Sequence, residues 1–333
     1  MALDGLLFVP YRETLELLTI EDALQVCEEV YWMHARGTVQ WSRPPSWKLD
    51  VGEPWHNHWH VKGAFLPEIP ATGVRMYNYY DDGVKNTVGR LECARYILLT
   101  DPRTGHPKSI VEEHWAYAIR SIAAAVLPLK WLGPENPEVL GLVGVGTMGL
   151  NALRCLNTMY KFKKVICTSR RRETRKKFAD KWSKVLGVEI QPLDTIEEVV
   201  KGSDIGIGGT TLTDIVARES WVKPGSTYIS LARREMDPVG WSKFDKVVID
   251  DWNANMMNRE FVEFVDAGIF CREELHGQIC DIVSGKVVGR ESEEERILIH
   301  TTGLVSQDIA ICHHIYEKAK ANGVGITLPA TNH

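Results

Sequence analysis

The chain has 333 residues, enough for two domains, and its apolar content of 44% and charged content of 25% are ordinary for a globular protein. A formal net charge of −5 argues against a surface that binds nucleic acid or anionic membranes. No apolar run is as long as a membrane span, and residues 1–10 lack the basic segment of a signal peptide. Seven cysteines without a C-x-x-C pair are typical of reduced thiols, so we expect a cytoplasmic protein without nucleic-acid or membrane partners.

The N-terminal part of the chain predicts a domain that combines helices with a sheet. Residues 19–31 have the apolar spacing of an amphipathic helix, with Thr19 as its N-cap. Three later segments have strand composition without a helical pattern between them, which predicts an antiparallel or mixed sheet: 62–67, 73–79 and 94–100.

Three histidines, His56, His58 and His60, recur at period two and would share one face of a strand. Three ligands so close together on a strand suit tetrahedral zinc poorly, and the sequence offers no evident fourth ligand. We therefore expect no metal site and favour a polar strand face near a pocket or an interface.

Arg120 lies in a predicted helix of small residues at 115–125. Small residues let neighbouring segments pack closely, so the guanidinium would be buried and would need an anionic partner. A cofactor phosphate or a substrate carboxylate would supply that charge.

The segment 139–150 predicts the start of a dinucleotide-binding fold. An apolar strand at 139–143 is followed by Gly144-x-Gly146-x-x-Gly149 and then by helical spacing. In this fingerprint the first glycine permits a tight turn, the second lets a pyrophosphate approach the backbone, and the third lets helix and strand pack closely. The helix N-terminus would face the phosphates.

The end of the next predicted strand, 164–168, indicates which dinucleotide binds. An NAD site usually has an Asp or Glu here for the ribose hydroxyls, whereas this chain has Ser169, Arg170 and Arg171. A serine hydroxyl and an arginine can bind a 2′-phosphate, so NADP(H) is favoured over NAD(H). The alternative for the basic residues is the solvated start of a helix.

The remainder of the chain continues the strand–helix alternation and predicts a doubly wound parallel sheet. The strands of this part are expected at three segments: 203–211, 227–231 and 246–251. A long helix is predicted from residue 304 to about residue 321, and residues at its start could reach the nicotinamide.

Taken together, these motifs resemble the ornithine cyclodeaminase/mu-crystallin family over nearly the whole chain. Three segments of the first part carry the resemblance: an arginine after an extended Val-Gln pair at Val39–Arg43, and motifs on predicted strands at Lys62–Phe65 and Gly73–Arg75. Three more follow: the Arg120 helix at Arg120–Ala124, a Trp-Val-Lys-Pro-Gly segment at Trp221–Gly225, and the start of the last helix at Thr301–Asp308.

The resemblance implies an α/β fold with a Rossmann-type doubly wound parallel sheet and an N-terminal α+β domain completed by the C-terminal helix. It assigns residues 1–125, with 304–333 returning, to substrate binding and dimerisation, and residues 126–303 to NADP binding. It also implies a homodimer formed through the N-terminal sheet, and a small carboxylate as substrate.

Departures from the family pattern indicate the branch. Cyclodeaminases carry an aspartate in a Gly-Gly-Asp-x-Pro-Gly-Lys loop. The corresponding loop of this chain, residues 230–238, is shorter and has no acidic residue at the position of that aspartate. The pocket lysine of the family corresponds to Arg75, which does not readily release a proton. The short loop is more similar to members that make diaminopropionate by oxidising an amino-acid adduct.

We therefore expect an NADP(H)-dependent oxidoreductase that acts on a C–N bond. It would reduce an imine of a 2-oxo acid, or oxidise the matching amino acid or N-substituted amino acid. Two alternatives stay open: a cyclodeaminase-type ammonia lyase with bound cofactor, and a catalytically silent protein that binds NADPH or another small ligand.

The expected site residues follow from the motifs and from the resemblance. Arg43, Arg75, Arg120 and Arg233 would bind the substrate, whose second carboxylate is allowed by the number of arginines. The expected catalytic residues are Lys62, Arg75 and Asp308, and the proton donor is Lys62, Asp308 or a bound water. The expected cofactor-binding residues are Arg90, Arg120, Gly144, Gly146, Thr147, Met148, Gly149, Ser169, Arg170, Arg171, Thr210, Thr211, Leu212, Leu231 and Thr301.

Overall fold

A computed structural model describes residues 5–80, 93–210, 215–231 and 235–329. The chain divides into two compact units: the first contains Met1–Arg120 and Val305–His333, and the second contains Ser121–Leu304. Their assignment to substrate binding and cofactor binding stays a prediction. Among the helices of the described ranges, none is long and apolar enough to cross a membrane.

Helices and strands are numbered in chain order. The helices are α1 Tyr11–Leu17, α2 Ile20–Ala35, α3 His114–Val126, α4 Leu129–Leu132, α5 Thr147–Met159, α6 Arg172–Leu186, α7 Ile196–Gly202, α8 Trp252–Asn255, α9 Arg259–Asp266, α10 Ile279–Val283 and α11 Val305–Asn322. The strands are β1 Leu6–Val9, β2 Gln40–Trp41, β3 Trp47–Gly52, β4 Asn57–Leu66, β5 Ala71–Tyr80, β6 Arg95–Thr100, β7 Pro107–Glu112, β8 Val139–Val143, β9 Lys164–Thr168, β10 Glu189–Pro192, β11 Ile205–Gly208, β12 Thr227–Leu231, β13 Lys246–Ile249, β14 Gly277–Gln278, β15 Ile297–Thr301 and β16 Ile326–Leu328.

The predicted N-terminal helix is confirmed as α2 and extends to Ala35. Its start is fixed by a reciprocal capping box, in which the Asp22 backbone N–H donates to Thr19 Oγ1 at 3.1 Å and the Thr19 N–H donates to Asp22 Oδ2 at 3.0 Å. These bonds satisfy donors that the first helical turn leaves without partners, which explains why the helix begins here.

The sheet of the first unit is mixed, which is one of the two arrangements that the sequence predicts. Its order is β16-β1-β7-β6-β5-β4-β2, with β3 also paired to β4, and β1 runs parallel to β7 while the other pairings are antiparallel. We call the side against α11 the inner face, because a Cβ added at Gly73 would lie 3.2 Å from Ile309 of that helix. The opposite side is the outer face.

The second unit contains an all-parallel sheet of order β10-β9-β8-β11-β12-β15-β13-β14. The predicted α/β fold with a doubly wound sheet is thereby confirmed. From β8 the strand order runs to β9 on one side and to β11 on the other, so the carboxyl end of β8 lies at a topological switch point. In open parallel sheets this is the place where ligands bind.

Candidate active site

The glycine loop between β8 and α5 has the geometry that its sequence predicts. Gly144 has a φ of 100°, which favours glycine, and a Cβ there would lie 2.7 Å from the Gly209 carbonyl oxygen. A Cβ at Gly149 would collide with the Gly144 carbonyl, so only glycine permits this approach of helix and strand. Gly146 is the N-cap of α5, and a Cβ there would meet nothing within 4 Å.

A cavity of about 350 Å³ opens over this loop. Its lining comes from the end of β8 and the loop after it, the ends of β9 and β11, the first turns of α6, and the start of α7 with the residues before it: Val143, Gly144, Val145, Gly146, Thr168, Ser169, Arg170, Arg175, Asp194, Ile196, Gly209 and Thr210. The N-terminus of α5 therefore borders the cavity, and its backbone N–H groups and dipole favour an anion there.

Polar groups at the end of β9 border the same cavity. Arg170 is exposed, whereas Arg175 is buried and donates from Nη1 to the Ser169 carbonyl oxygen at 2.9 Å. Arg175 Nη2 also bonds to the Asp194 carboxylate, so this acid already has a cationic partner. The basic segment after β9 was predicted as a cofactor contact, but Arg175 was missed because it could equally belong to a solvated helix.

The cavity fits a dinucleotide. Because Gly146 has no side chain, the glycine loop leaves room for a pyrophosphate at this position. The N-terminus of α5 lies where the pyrophosphate would bind. Of the predicted cofactor residues, Gly144, Gly146, Ser169, Arg170 and Thr210 line the cavity.

Other predicted cofactor residues do not line the cavity. Gly149 packs against the loop, Thr147 begins α5, Arg120 belongs to the first unit, and Met148, Arg171, Leu231 and Thr301 are absent from the lining. Arg90, Thr211 and Leu212, together with the predicted substrate residue Arg233, lie outside the described residues.

Glu235 is a buried acid beside the cavity, and nothing in its local sequence distinguishes it from a surface acid. The Thr210 backbone N–H donates to its Oε1 at 2.6 Å, and its Oε2 has no hydrogen-bond partner in the described parts of the chain. Burial raises the pKa of Glu235 to about 8, although the bonds from Thr210 act in the opposite direction. Glu235 therefore supports the backbone of the lining segment Gly209–Thr210.

A second group of polar residues lies in the first unit, on the inner face of the sheet. It combines four cations with two carboxylates, and we call it the charged cluster: Lys62, Arg75, Arg95, Arg120, Glu113 and Asp308. Its members come from three strands, from the residue before α3, from α3 and from α11.

Two buried arginines share one carboxylate in this cluster. Arg75 Nη1 lies 3.4 Å from Asp308 Oδ2, and Arg120 Nη2 contacts Asp308 Oδ1. Arg75 Nε also donates to Glu113 Oε1 at 2.7 Å. The anionic partner that the sequence requires for Arg120 is thus Asp308, an internal carboxylate. Glu113 was missed because nothing in its local sequence distinguishes it from Glu112.

Lys62 lies directly opposite Arg75 on the neighbouring strand, so both side chains are on the inner face. Burial, followed by the positive charge of Arg75, lowers the pKa of Lys62 to about 8. An amine with this pKa can hold or release a proton near neutral pH. The structure therefore brings together three predicted catalytic residues, Lys62, Arg75 and Asp308, whereas the predicted substrate residue Arg43 is exposed after β2.

The histidines extend this face. His58 and His60 lie on β4 opposite Tyr79 and Tyr77, and the His60 ring stacks on Tyr77 with centroids 5.1 Å apart. His56 precedes the strand with a φ of 46°. Within the described ranges, no three His, Cys, Asp or Glu residues are grouped as metal ligands.

Known proteins resemble this chain along most of its length. The Staphylococcus aureus N-((2S)-2-amino-2-carboxyethyl)-L-glutamate dehydrogenase is 26% identical over 235 residues, which cover 70% of this chain and 70% of that protein. The solved structure of Thermococcus litoralis Delta(1)-pyrroline-2-carboxylate reductase with NADH and L-proline has a TM-score of 0.88 at 24% identity, covering 97% of this chain and 100% of that one. An archaeal alanine dehydrogenase dimer with bound NAD has a TM-score of 0.87 at 24% identity, covering 97% and 99%.

At these identities the two solved structures establish the fold, which agrees with the parallel sheet and the glycine loop. The sequence pattern of the ornithine cyclodeaminase/mu-crystallin family matches residues 8–323, and the chain therefore belongs to that family.

Proposed function

We propose that this protein is an NADP(H)-dependent oxidoreductase that reduces an imine of a 2-oxo acid or oxidises the corresponding amine. The observation that carries this proposal is the pair Lys62 and Arg75, a mostly buried amine with a pKa lowered to about 8 directly opposite a buried guanidinium. The dinucleotide cavity supports it, as do the dehydrogenase and reductase names of the relatives.

The chemistry divides among the residues as follows. A bound nicotinamide dinucleotide would supply the hydride that the imine carbon accepts. Arg75 Nη2 and Arg120 Nη1, which donate no hydrogen bond to any described residue, bind the carboxylate and orient the C=N bond. Lys62 then gives the proton that the nitrogen needs, and the products are an amine and the oxidised cofactor.

NADP(H) is our proposed cofactor because the end of β9 carries a hydroxyl and a guanidinium where an NAD site usually has a free acid. Ser169 and Arg170 line the cavity, while Asp194 is paired with Arg175. The two solved relatives contain NADH or NAD, and a direct measurement on this protein distinguishes the two cofactors. A Ser169→Asp variant should lower kcat/KM for NADPH and raise it for NADH, and a wild-type protein that favours NADH would contradict the proposal.

A homodimer formed through the outer face is also proposed. Apolar side chains line up across four strands there, since Trp47 lies opposite the half-buried Val61, Val61 opposite Met76, and Met76 opposite Tyr96. Trp47 is 50% exposed and Met76 is 44% exposed. An apolar row on a sheet face is typical of a protein interface, and a relative with the same fold is a dimer.

The deciding experiment follows absorbance at 340 nm with NADPH and with NADH. The substrates are 2-oxo acids mixed with ammonia, methylamine or an amino acid, together with cyclic imines. Turnover with NADPH supports the reductase. Cofactor binding without turnover on any imine would reject it and leave the lyase or the binding protein.

A further inference from the structure

The charged cluster contains more positive than negative charge. Its two carboxylates, Glu113 and Asp308, face Lys62 and three arginines, so two positive charges are unbalanced within the cluster. On the neighbouring strand β3, Lys48 and Asp50 offset each other. Uncompensated charge in a buried site is costly, and a ligand that carries two negative charges would remove the imbalance.

Arg95 is a cation of the cluster that forms no ion pair with a described carboxylate, although its charge acts on Glu113. Its guanidinium carbon lies 4.2 Å from the Tyr117 ring centroid and 5.3 Å from that of Tyr79, so it is enclosed by aromatic rings. No described carboxylate lies within 4.0 Å of Arg95, and its Nη1 has no hydrogen-bond partner among the residues that the structure describes. Arg95 is only 8% exposed, so this donor is buried without a partner among the described residues, which is unfavourable unless a ligand accepts its hydrogen bond.

Arg95 and the Lys62–Arg75 pair lie in adjacent rows of the inner face. Arg95 is opposite Tyr77, and Tyr77 is two residues along β5 from Arg75. Arg75 and Arg95 are therefore diagonal neighbours across two paired strands, a relationship that spans about 7–8 Å, so the two cationic positions lie within reach of the ends of one short dicarboxylic chain. The Tyr77 ring lies against both cations, with its centroid 4.4 Å from the Arg75 guanidinium carbon and 5.6 Å from that of Arg95.

We infer that the substrate of this site is an imine with two carboxylates, one bound beside Lys62, Arg75 and Arg120 and the other bound by Arg95 inside its tyrosine enclosure. This inference rests on the proposed imine chemistry. The second carboxylate can come from a dicarboxylic 2-oxo acid or from an amino acid that supplies the nitrogen. Both sources offer the same chemistry to Arg95, and the test separates them.

The first experiment compares kcat/KM for matched imines with NADPH. Pyruvate with ammonia and pyruvate with methylamine provide one carboxylate. 2-Oxoglutarate or oxaloacetate with ammonia adds the second carboxylate on the oxo acid, and pyruvate with glycine adds it on the amine. A charge-assisted bond to Arg95 should favour at least one dicarboxylate class by about 10- to 100-fold. Equal kcat/KM for both classes would overturn the inference, whereas no turnover on any imine would overturn the proposed function itself.

Variants of Arg95 test its role. Arg95→Gln should lower the ratio of dicarboxylate to monocarboxylate kcat/KM by about 10- to 100-fold, and Arg95→Lys should restore part of that ratio. The control is Arg103→Gln, because Arg103 is an exposed arginine of the same unit. If the ratio of dicarboxylate to monocarboxylate kcat/KM is the same in Arg95→Gln as in the wild type, Arg95 does not bind the second carboxylate.

A binding measurement remains decisive if Arg95→Gln does not fold. Glutarate should raise the melting temperature of the wild-type protein by about 2–4 °C at saturating concentration, while butyrate, which has one carboxylate fewer, should leave it unchanged. Equal shifts with glutarate and butyrate would contradict the dicarboxylate site even if imine reduction is observed.

Discussion

Asp308 lies beneath Arg75 on the inner face, with 3.4 Å between Asp308 Oδ2 and Arg75 Nη1, and both side chains are almost fully buried. The same carboxylate contacts Arg120, so one acid compensates two guanidinium groups. The primary role of Asp308 is therefore that of a structural counter-ion for the two guanidinium groups. Its pairing also holds the two arginines so that their remaining donors can bind a carboxylate.

Asp308→Asn should therefore destabilise the protein as well as impair activity. The change keeps the size of the side chain but leaves Arg75 with one acid, Glu113, and Arg120 without an ion pair to a described residue, and the loss is expected to be about 3–5 kcal/mol in the free energy of unfolding. Urea denaturation measures this value. The control is Arg259→Gln, which breaks an exposed pair with Glu263 and should not change the midpoint measurably. An equally small effect of Asp308→Asn would show that Arg75 and Arg120 do not depend on this acid.

Removal of the Lys62 amine should affect the chemical step. If Lys62 donates the proton, Lys62→Met should lower kcat for imine reduction by about 10²- to 10⁴-fold with a smaller effect on KM. Lys163→Met, at an exposed lysine, is the control.

The pH profile adds a separate prediction for the same residue. Burial lowers the pKa of Lys62 to about 8, so kcat/KM of the wild-type protein should be constant below this value and should fall above it as the amine loses its proton. Lys62→Arg keeps its proton at all these pH values, so any residual activity should lack that fall. An unchanged profile in Lys62→Arg would identify another donor.

The glycine loop gives a prediction about the cofactor. Gly146 has an ordinary extended φ of −78°, and a Cβ there would meet no atom within 4 Å, so Gly146→Ala should fold normally. The new methyl group would border the cavity where a pyrophosphate approaches, and KM for NADPH should rise about 10-fold or more. Gly149→Ala, whose Cβ would collide with the Gly144 carbonyl, should instead reduce stability. Unchanged cofactor affinity in Gly146→Ala would place the pyrophosphate elsewhere.

The sequence was sufficient for features that depend on local pattern. The N-cap at Thr19, the strand β8 and the fingerprint at Gly144 each involve residues within a few positions of one another, so spacing alone specifies them. The partners inside the charged cluster could not be predicted. Arg120 and Asp308 are 188 positions apart, and only the packing of α11 against the sheet brings the carboxylate to the guanidinium.

A charge on the outer face should separate the proposed dimer. Met76→Asp places a carboxylate in the middle of the row that contains Trp47, Val61 and Tyr96. Burial of an unpaired charge in an apolar interface is unfavourable, so sedimentation velocity should show a dimer for the wild type and a monomer for the variant. Val185→Asp, which changes an exposed apolar residue of the second unit, should stay dimeric. A wild-type monomer at micromolar concentration would contradict the proposed interface.

Glu235 should make the stability of the protein decrease as the pH rises. Burial raises its pKa to about 8 from an ordinary value of 4.5, so between these values the folded state keeps a proton that the unfolded state releases. The stabilisation is complete below about pH 4.5, decreases as the pH rises from 4.5 to 8 and is absent above about pH 8, with a total on the order of 3–5 kcal/mol. Glu235→Gln cannot ionise, so its free energy of unfolding relative to the wild type should increase from pH 5 to pH 8.

Urea denaturation at several pH values measures the difference, with the exposed Glu189→Gln as control. A difference between Glu235→Gln and wild type that does not vary with pH would mean that Glu235 is ionised in the folded protein and that a cation or water satisfies its Oε2.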